Sequence, residues 1–161
     1  MLTPAQEDYI EAIYRLEVSS KNEKIRITDI ADQLGTKLPT VTRSVQKLTS
    51  LGLLSHSSRR EVVLTDEGRL LGKEILHRHK DLITFFVEIF GISHDNARAD
   101  ACQVEHGVSS ETAQRIHEFL EYYFSLEEKE RMLIEKFKTS VYVGKDDFKE
   151  LPENKTDGWR M

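Results

Sequence analysis

A mainly α fold is predicted for this 161-residue chain: an N-terminal winged helix-turn-helix with a small β-hairpin wing, followed by an all-helical domain. Three observations predict it. Apolar residues recur at helical spacing through most of the chain. Two helical runs flank a tight turn at Gly35, and two short β-favouring runs follow them. From Thr65 to Lys138 the pattern is helical again.

Each element has its own signal. Thr3-Pro4-Ala5-Gln6 reads as a helix start, with Thr3 as N-cap, Pro4 in the first turn and Gln6 completing a capping box. About four turns follow, carrying Ile10, Ile13 and Tyr14 on an apolar stripe, until the polar cluster Ser19-Ser20-Lys21-Asn22. Thr28 is expected to cap a short helix reaching Leu34, and a second helix spans about Pro39 to Leu51, stopped by Gly52. Leu53 to His56 and Glu61 to Thr65 form the expected hairpin. Thr65-Asp66-Glu67-Gly68 opens a long helix whose expected buried stripe is Leu70, Leu71, Ile75, Leu82, Phe85, Phe86 and Ile89, closed by Gly91. Three further helices are expected, at about Ser93 to His106, Ser109 to Phe124 and Ser125 to Lys138, the last opened by the box Ser125-x-x-Glu128. The expected organisation is residues 1–72, residues 73–140, and a tail, 141–161, too short for another domain and expected to be flexible.

Hydrophobic content of 39% and charged content of 32% exclude a disordered or fibrous chain. Cys102 is the single cysteine, so no internal disulfide forms, and the Met-Leu-Thr-Pro start is no secretory signal; a cytoplasmic protein is expected. No apolar run approaches the ~20 residues of a membrane span, so no membrane partner is expected. The net charge of −5 conceals one basic face: Lys37, Arg43, Lys47, Arg59 and Arg60 fall in a stretch with no Asp or Glu.

That face coincides with the helix-turn-helix. Ala31, Gly35 and Val41 have the spacing of a small residue at a helix crossing, a turn glycine and a branched anchor, and Val45 and Leu48 extend the buried side. The opposite side offers Thr40, Thr42, Arg43, Gln46 and Lys47 to base edges and phosphates. Pro39 and Thr40 suit a thymine methyl, Lys37 adds to the basic face, and Arg59 and Arg60 on the wing suit phosphate. Double-stranded DNA is the expected partner.

Cys102, Glu105 and His106 stand at i, i+3 and i+4, one helical face bearing three ligand types for transition metals. Singly, each reads more readily as a packing or surface residue; together they form the sharpest chemical cluster in the sequence. Asp8 and Glu11 lie three apart in the first helix, where carboxylates also favour a helix N-terminus. His77 and His79, two apart, occupy different faces, so one at most can share a site with the others.

Taken together, these segments resemble the diphtheria-toxin-repressor and manganese-transport-regulator family of metal-activated repressors. The resemblance rests on Glu7 to Tyr14, Pro39-Thr40-Val41-Thr42, Leu64-Thr65, Arg78-His79 and Ala101 to His106, in the family's order over about residues 3 to 138. It implies metal ligands at Asp8, Glu11, His79, Cys102, Glu105 and His106, a homodimer built on a helical metal-binding and dimerisation domain, and repression of metal-uptake genes from a palindromic operator. The site resembles a hybrid: Asp8 and Glu11 match the manganese subgroup, Cys102 the iron subgroup. Fe(II) or Mn(II) is therefore the expected co-repressor, with the thiolate tilting toward Fe(II), and Co(II), Ni(II) or Zn(II) as surrogates. Arg98 and Ile83 replace residues of the iron subgroup's separate ancillary site, which is expected to be lost; a binuclear cluster sharing Glu11 and Glu105 is expected instead. The family's longer members add an SH3-like domain, for which the residues after Lys138 leave no room. Two other classes compete: a winged-helix regulator answering to a small organic ligand, and a di-iron carboxylate enzyme. An enzyme is not expected, because only Glu74-x-x-His77 has the paired-ligand spacing such enzymes use twice.

Overall fold

The computed structural model describes residues 2–19, 24–56 and 61–139. Its elements are α1 (Pro4–Ser19), α2 (Ile27–Leu34), α3 (Leu38–Ser50), β1 (Leu54–His56), β2 (Val62–Leu64), α4 (Asp66–Glu88), α5 (His94–Val104), α6 (Ser110–Ser125) and α7 (Glu128–Lys138). Arg59, Arg60 and the tail 141–161 lie outside the described residues. No helix among the described residues is long and apolar enough to cross a membrane.

The first helix is capped as the sequence indicates: Thr3 N–H donates to Gln6 Oε1 at 2.9 Å and Gln6 N–H donates to Thr3 Oγ1 at 3.3 Å. Two other caps are shifted. Helix α2 begins one residue before Thr28, with Arg26 as N-cap donating its N–H to Asp29 Oδ2 at 2.7 Å. The chain enters it extended because Arg26 bridges Glu61 beside the hairpin, a long-range pairing no local signal encodes. Likewise α6 runs on through Ser125, and Glu127 caps α7, its N–H donating to Glu130 Oε2 at 2.9 Å. The closing bond is Glu130's, and the carboxylates of Glu127, Glu128 and Glu130 suit the positive end of the helix.

Ile10, Ile13, Ile30, Val41, Val45, Leu48 and Ile75 are within 1% of full burial and share one core with Leu54, Val62 and Leu64 of the hairpin. Burying each such side chain contributes about 1.5–3 kcal/mol, so α1 is part of the helix-turn-helix unit's core rather than an appendage. The turn between α2 and α3 uses Gly35 at φ 59°, where a side chain would be strained. β1 and β2 pair antiparallel, Leu54 opposite Leu64 and Ser55 opposite Val63, placing Leu54, Val62 and Leu64 on the core face and Val63 outside.

Helix α4 joins that core to a second one. Thr65 caps it, accepting from Gly68 N–H at 3.1 Å. At Gly72 the helix meets α1 so closely that a Cβ would lie 2.7 Å from Tyr14 Cβ. The contact requires glycine although φ there is ordinary. Further along, Ile89 packs with Leu120 and Tyr123 of α6, flanked by Phe85, Ile116 and Ile134. Leu70 is 69% exposed, not buried as its place in the stripe suggests: α1 sits over Gly72 and Ile75, turning the adjacent Leu70 outward. Phe119, Tyr122, Phe124 and Leu133 leave apolar area exposed on α6 and α7.

Candidate metal centre

Three segments converge between the two cores. Helix α1 contributes Glu7, Asp8 and Glu11, α4 contributes Arg78 and His79, and the turn ending α5 contributes Glu105 and His106. The two sides of α1 explain its share: the side carrying Ile10 and Ile13 is sealed into the core, so the side carrying Glu7, Asp8 and Glu11 faces α4 and α5.

The closest donors form two overlapping groups. Asp8, Glu105 and His106 each place a ligand atom within 4.8 Å of the other two, and so do Glu11, His79 and Glu105. Glu105 belongs to both. His79 Nδ1 is 2.8 Å from Glu105 Oε2, while His106 Nε2 is 2.9 Å from Asp8 Oδ1 and 3.7 Å from Glu105 Oε1. Glu105 is 1% exposed, and among the described residues its side-chain partners are these two imidazoles, with no Lys or Arg. A carboxylate that deeply buried needs a cation or a neutralising proton, and mixed carboxylate and imidazole donors suit Mn(II) or Fe(II). The donor set thus fits a divalent ion.

Of the residues proposed from sequence, Asp8, Glu11, His79, Glu105 and His106 are brought together, and Glu105 alone is shared where Glu11 was also expected to be. Cys102 is not in either group; its side chain is exposed. The reason is phase. Ala97, Ala101 and Glu105 form the buried stripe of α5, and Cys102 stands about 100° around from Ala101. It still reaches the edge of a cleft of about 850 Å³ that it lines with Asp8, Glu11, His79 and Arg15. Partial desolvation pushes its thiol up, and Glu105, Asp8 and Glu11 push it further while Arg15 opposes them. Helix α5 ends at Val104, two residues before His106, yet Glu105 keeps helical dihedrals, so the spacing argument survives for that pair. His77 is exposed and lines the other side of α4, as its offset from His79 requires.

Three residues outside the sequence-based set pair with the donors or with one another. Arg15 Nη2 donates to Glu11 Oε1 at 2.6 Å, Arg78 Nη2 donates to Glu7 Oε2 at 2.7 Å, and that same oxygen lies 3.0 Å from His106 Nδ1. The i, i+4 spacing of Glu11 and Arg15 was a readable signal; the link from Glu7 to Arg78 spans 71 residues and had none. His106 is held above its usual range. Burial pulls it down, but the Glu7 hydrogen bond and the Asp8 charge outweigh burial.

On the opposite side of the DNA-reading unit, Lys37, Pro39, Thr40, Arg43, Gln46 and Lys47 are exposed. Among the described residues none of Lys37, Arg43 and Lys47 makes an ion pair. Thr42 is half-buried, its hydroxyl donating to the Leu38 carbonyl at 2.9 Å, which turns it from the solvent side.

Comparison with known proteins agrees with this layout. Residues 1–62 match the family model for the iron dependent repressor N-terminal DNA binding domain, and residues 65–125 match that for the iron dependent repressor metal binding and dimerisation domain. The chain is 37% identical to the HTH-type transcriptional regulator MntR of Geobacillus kaustophilus, over 83% of this chain and 90% of that protein. It is 35% identical to the uncharacterized HTH-type transcriptional regulator MJ0568 of Methanocaldococcus jannaschii, over 73% of this chain and 93% of that one. Among solved structures, that of the manganese regulator SloR superposes with a TM-score of 0.65 at 30% identity, covering 75% of this chain and 55% of SloR. This chain thus spans little more than half of that solved regulator. A winged helix-turn-helix whose core includes α1, donors gathered from α1, α4 and the end of α5, and relatives matched over nearly their whole length lead to one conclusion: the chain belongs to the iron dependent repressor family of metal-dependent, DNA-binding transcriptional repressors, the diphtheria-toxin-repressor and manganese-transport-regulator family.

Proposed function

We propose that this protein is a Mn(II)- or Fe(II)-activated repressor of metal-uptake genes, holding a pair of ions on Asp8, Glu11, His79, Glu105 and His106, with Cys102 at the rim. The observation that carries this reading is Glu105, a carboxylate at 1% exposure shared by two donor groups. With the thiol outside both groups, oxygen and imidazole donors dominate, which favours Mn(II) over the Fe(II) suggested by Cys102 alone. The bound ions would supply positive charge to a junction of four carboxylates.

The residues explain how such charge reaches DNA. Asp8 and Glu11 stand on α1, whose Ile10 and Ile13 are sealed into the core that holds α3. His79 and Glu105 stand on the elements that lead to the expected dimer face. Drawing the carboxylates together fixes α1, and therefore α3, relative to residues 73–140, which we take as the metal-binding and dimerisation domain, with 1–72 as the DNA-binding domain and 141–161 as a tail. Two α3 helices of a homodimer would then fit half-sites of a palindromic operator about 34 Å apart, with Lys37, Pro39, Thr40, Arg43, Gln46 and Lys47, and from the wing Arg59 and Arg60, toward DNA. Thr42 we place at the margin of that surface. Catalysis is not part of this reading: Glu74-x-x-His77 does not face the donor groups, since His77 points to the α6 side. A cytoplasmic location follows from the proposed role.

The test is anaerobic titration of a palindromic promoter fragment with Mn(II), Fe(II), Co(II) and Zn(II), using wild type and Cys102→Glu. Metal-dependent DNA binding with an unchanged preference for Mn(II) in both proteins is expected. A preference for Fe(II) in wild type that Cys102→Glu shifts to Mn(II) would assign selectivity to the thiol. Equal DNA affinity with metal and with chelator would overturn the coupling.

A further inference from the structure

We infer that Glu7 and Arg78 are positioning residues that select which nitrogen of His106 is presented to the bound ion. The inference rests on the reading of Asp8, Glu105 and His106 as ligands. Glu7 is not in either donor group; it stands behind the imidazole, its Oε2 3.0 Å from His106 Nδ1. The same oxygen accepts from Arg78 Nη2 at 2.7 Å. The opposite ring nitrogen, Nε2, is the one beside Asp8 Oδ1 at 2.9 Å and Glu105 Oε1 at 3.7 Å.

A histidine binds a metal through one unprotonated nitrogen and is oriented by what its other N–H donates to. With Glu7 accepting from Nδ1–H, the lone pair falls on Nε2, between the two carboxylates with which it would share an ion. Arg78 makes this acceptor dependable: its side chain is 12% exposed, and its guanidinium fixes the carboxylate that would otherwise turn toward solvent or toward the ion itself. His79 is arranged differently, its Nδ1 facing Glu105, which is itself in the donor set. Only the group containing His106 therefore depends on Glu7. A plain ion pair docking α1 on α4 would treat the two groups alike.

The experiment compares wild type with Glu7→Ala, Glu7→Gln and Asp8→Asn in the full chain. Mn(II) titration followed by electron paramagnetic resonance counts the sites and their affinities. Long-range proton–nitrogen NMR of the proteins loaded with diamagnetic Zn(II) reads which His106 nitrogen carries the proton and which faces the ion. Asp8→Asn is expected to lose one of two sites. Glu7→Ala should weaken that same site by about 10–100-fold, leave the other unchanged, and move the His106 proton from Nδ1 toward Nε2. Glu7→Gln retains an acceptor oxygen and a side chain of the same shape, so it should recover part of the affinity and keep the Nδ1–H tautomer; it also guards against Glu7→Ala failing to fold. Equal weakening of both sites by Glu7→Ala, or an unchanged tautomer, would overturn the inference. An Asp8→Asn protein that keeps both sites would instead sink the ligand assignment, and the inference with it.

Discussion

Glu105→Gln tests the shared-carboxylate arrangement most directly. The change preserves shape and removes one charge from a position at 1% exposure, where the ionised form is partnered by His79 and His106. A protein at about 100 times the dissociation constant in free metal gains about 2.7 kcal/mol from each site. Because Glu105 serves both donor groups, wild type should gain about 5 kcal/mol and the variant almost none. At about 2–4 °C per kcal/mol for a chain of this size, Mn(II) should raise the wild-type Tm by about 10–20 °C. The metal-free variant should melt near or above metal-free wild type, since the amide can still meet His79 and the cost of burying a charge is gone. Asp8→Asn and Glu11→Gln provide the scale, each touching one group and losing about half the shift. Differential scanning fluorimetry with and without Mn(II) reads all of this. Should Glu105→Gln keep more than half of the wild-type shift, or should Asp8→Asn abolish it entirely, the two groups do not share this carboxylate as described.

Further expectations follow from other parts of the molecule. Gly72→Ala places a Cβ 2.7 Å from Tyr14 Cβ, so despite alanine's better helix propensity it should destabilise by about 1–3 kcal/mol in urea unfolding and lower metal affinity by shifting α1 from α4. Leu48→Ala empties a fully buried position under α3 and should cost about 2–5 kcal/mol by the same assay while leaving the residual folded protein responsive to Mn(II). Lys47→Ala should weaken DNA binding alike for operator and random sequence and reduce the salt slope by about 1, whereas Arg43→Ala should cost about 1–3 kcal/mol on the operator and relax its specificity; fluorescence anisotropy at several salt concentrations separates them. Glu135 is held below the ordinary glutamate range, first by the Tyr123 hydroxyl that donates to it at 2.9 Å and then by Lys138. A lowered carboxylate contributes stability that is present above the unfolded-state value and lost as pH falls through the folded one. Protection factors in α7, corrected for the intrinsic exchange rate, should therefore fall as pH drops below the ordinary glutamate value, and Glu135→Gln should reduce that pH dependence.

Much of the candidate site was legible in the sequence, part of it through helical periodicity and part through the family resemblance. Asp8 and Glu11 share a face at i, i+3, and Glu105 and His106 follow from the end of α5. Spacing separated His79 from His77, since two residues on a helix are about 200° apart, and the family resemblance chose His79. The same rule does not place Cys102 by itself: i, i+3 and i+4 bring three residues to one side, but only the neighbours of that helix decide which edge of the side is buried. Ala97, Ala101 and Glu105 took the buried line and left Cys102 at the rim. The caps of α2 and α7 were misplaced for a related reason, as Arg26 is held extended by its bridge to Glu61 and Glu127 competes with the hydroxyl of Ser125.

By itself, then, the sequence determined the order of elements and the acid-free basic face, because turn glycines, caps and helical spacing act over a few residues and leave their pattern in the chain; the five converging candidate residues were named by the family resemblance, with spacing behind the pairs Asp8–Glu11 and Glu105–His106. The tertiary structure alone decided that Glu105 is the shared, deeply buried carboxylate, that Glu7 and Arg78 stand behind His106, and that Gly72 sets the approach of α1 to α4. These depend on contacts between residues tens of positions apart. Burial and the pairing of charges are properties of the packed helices, and no single helix carries them.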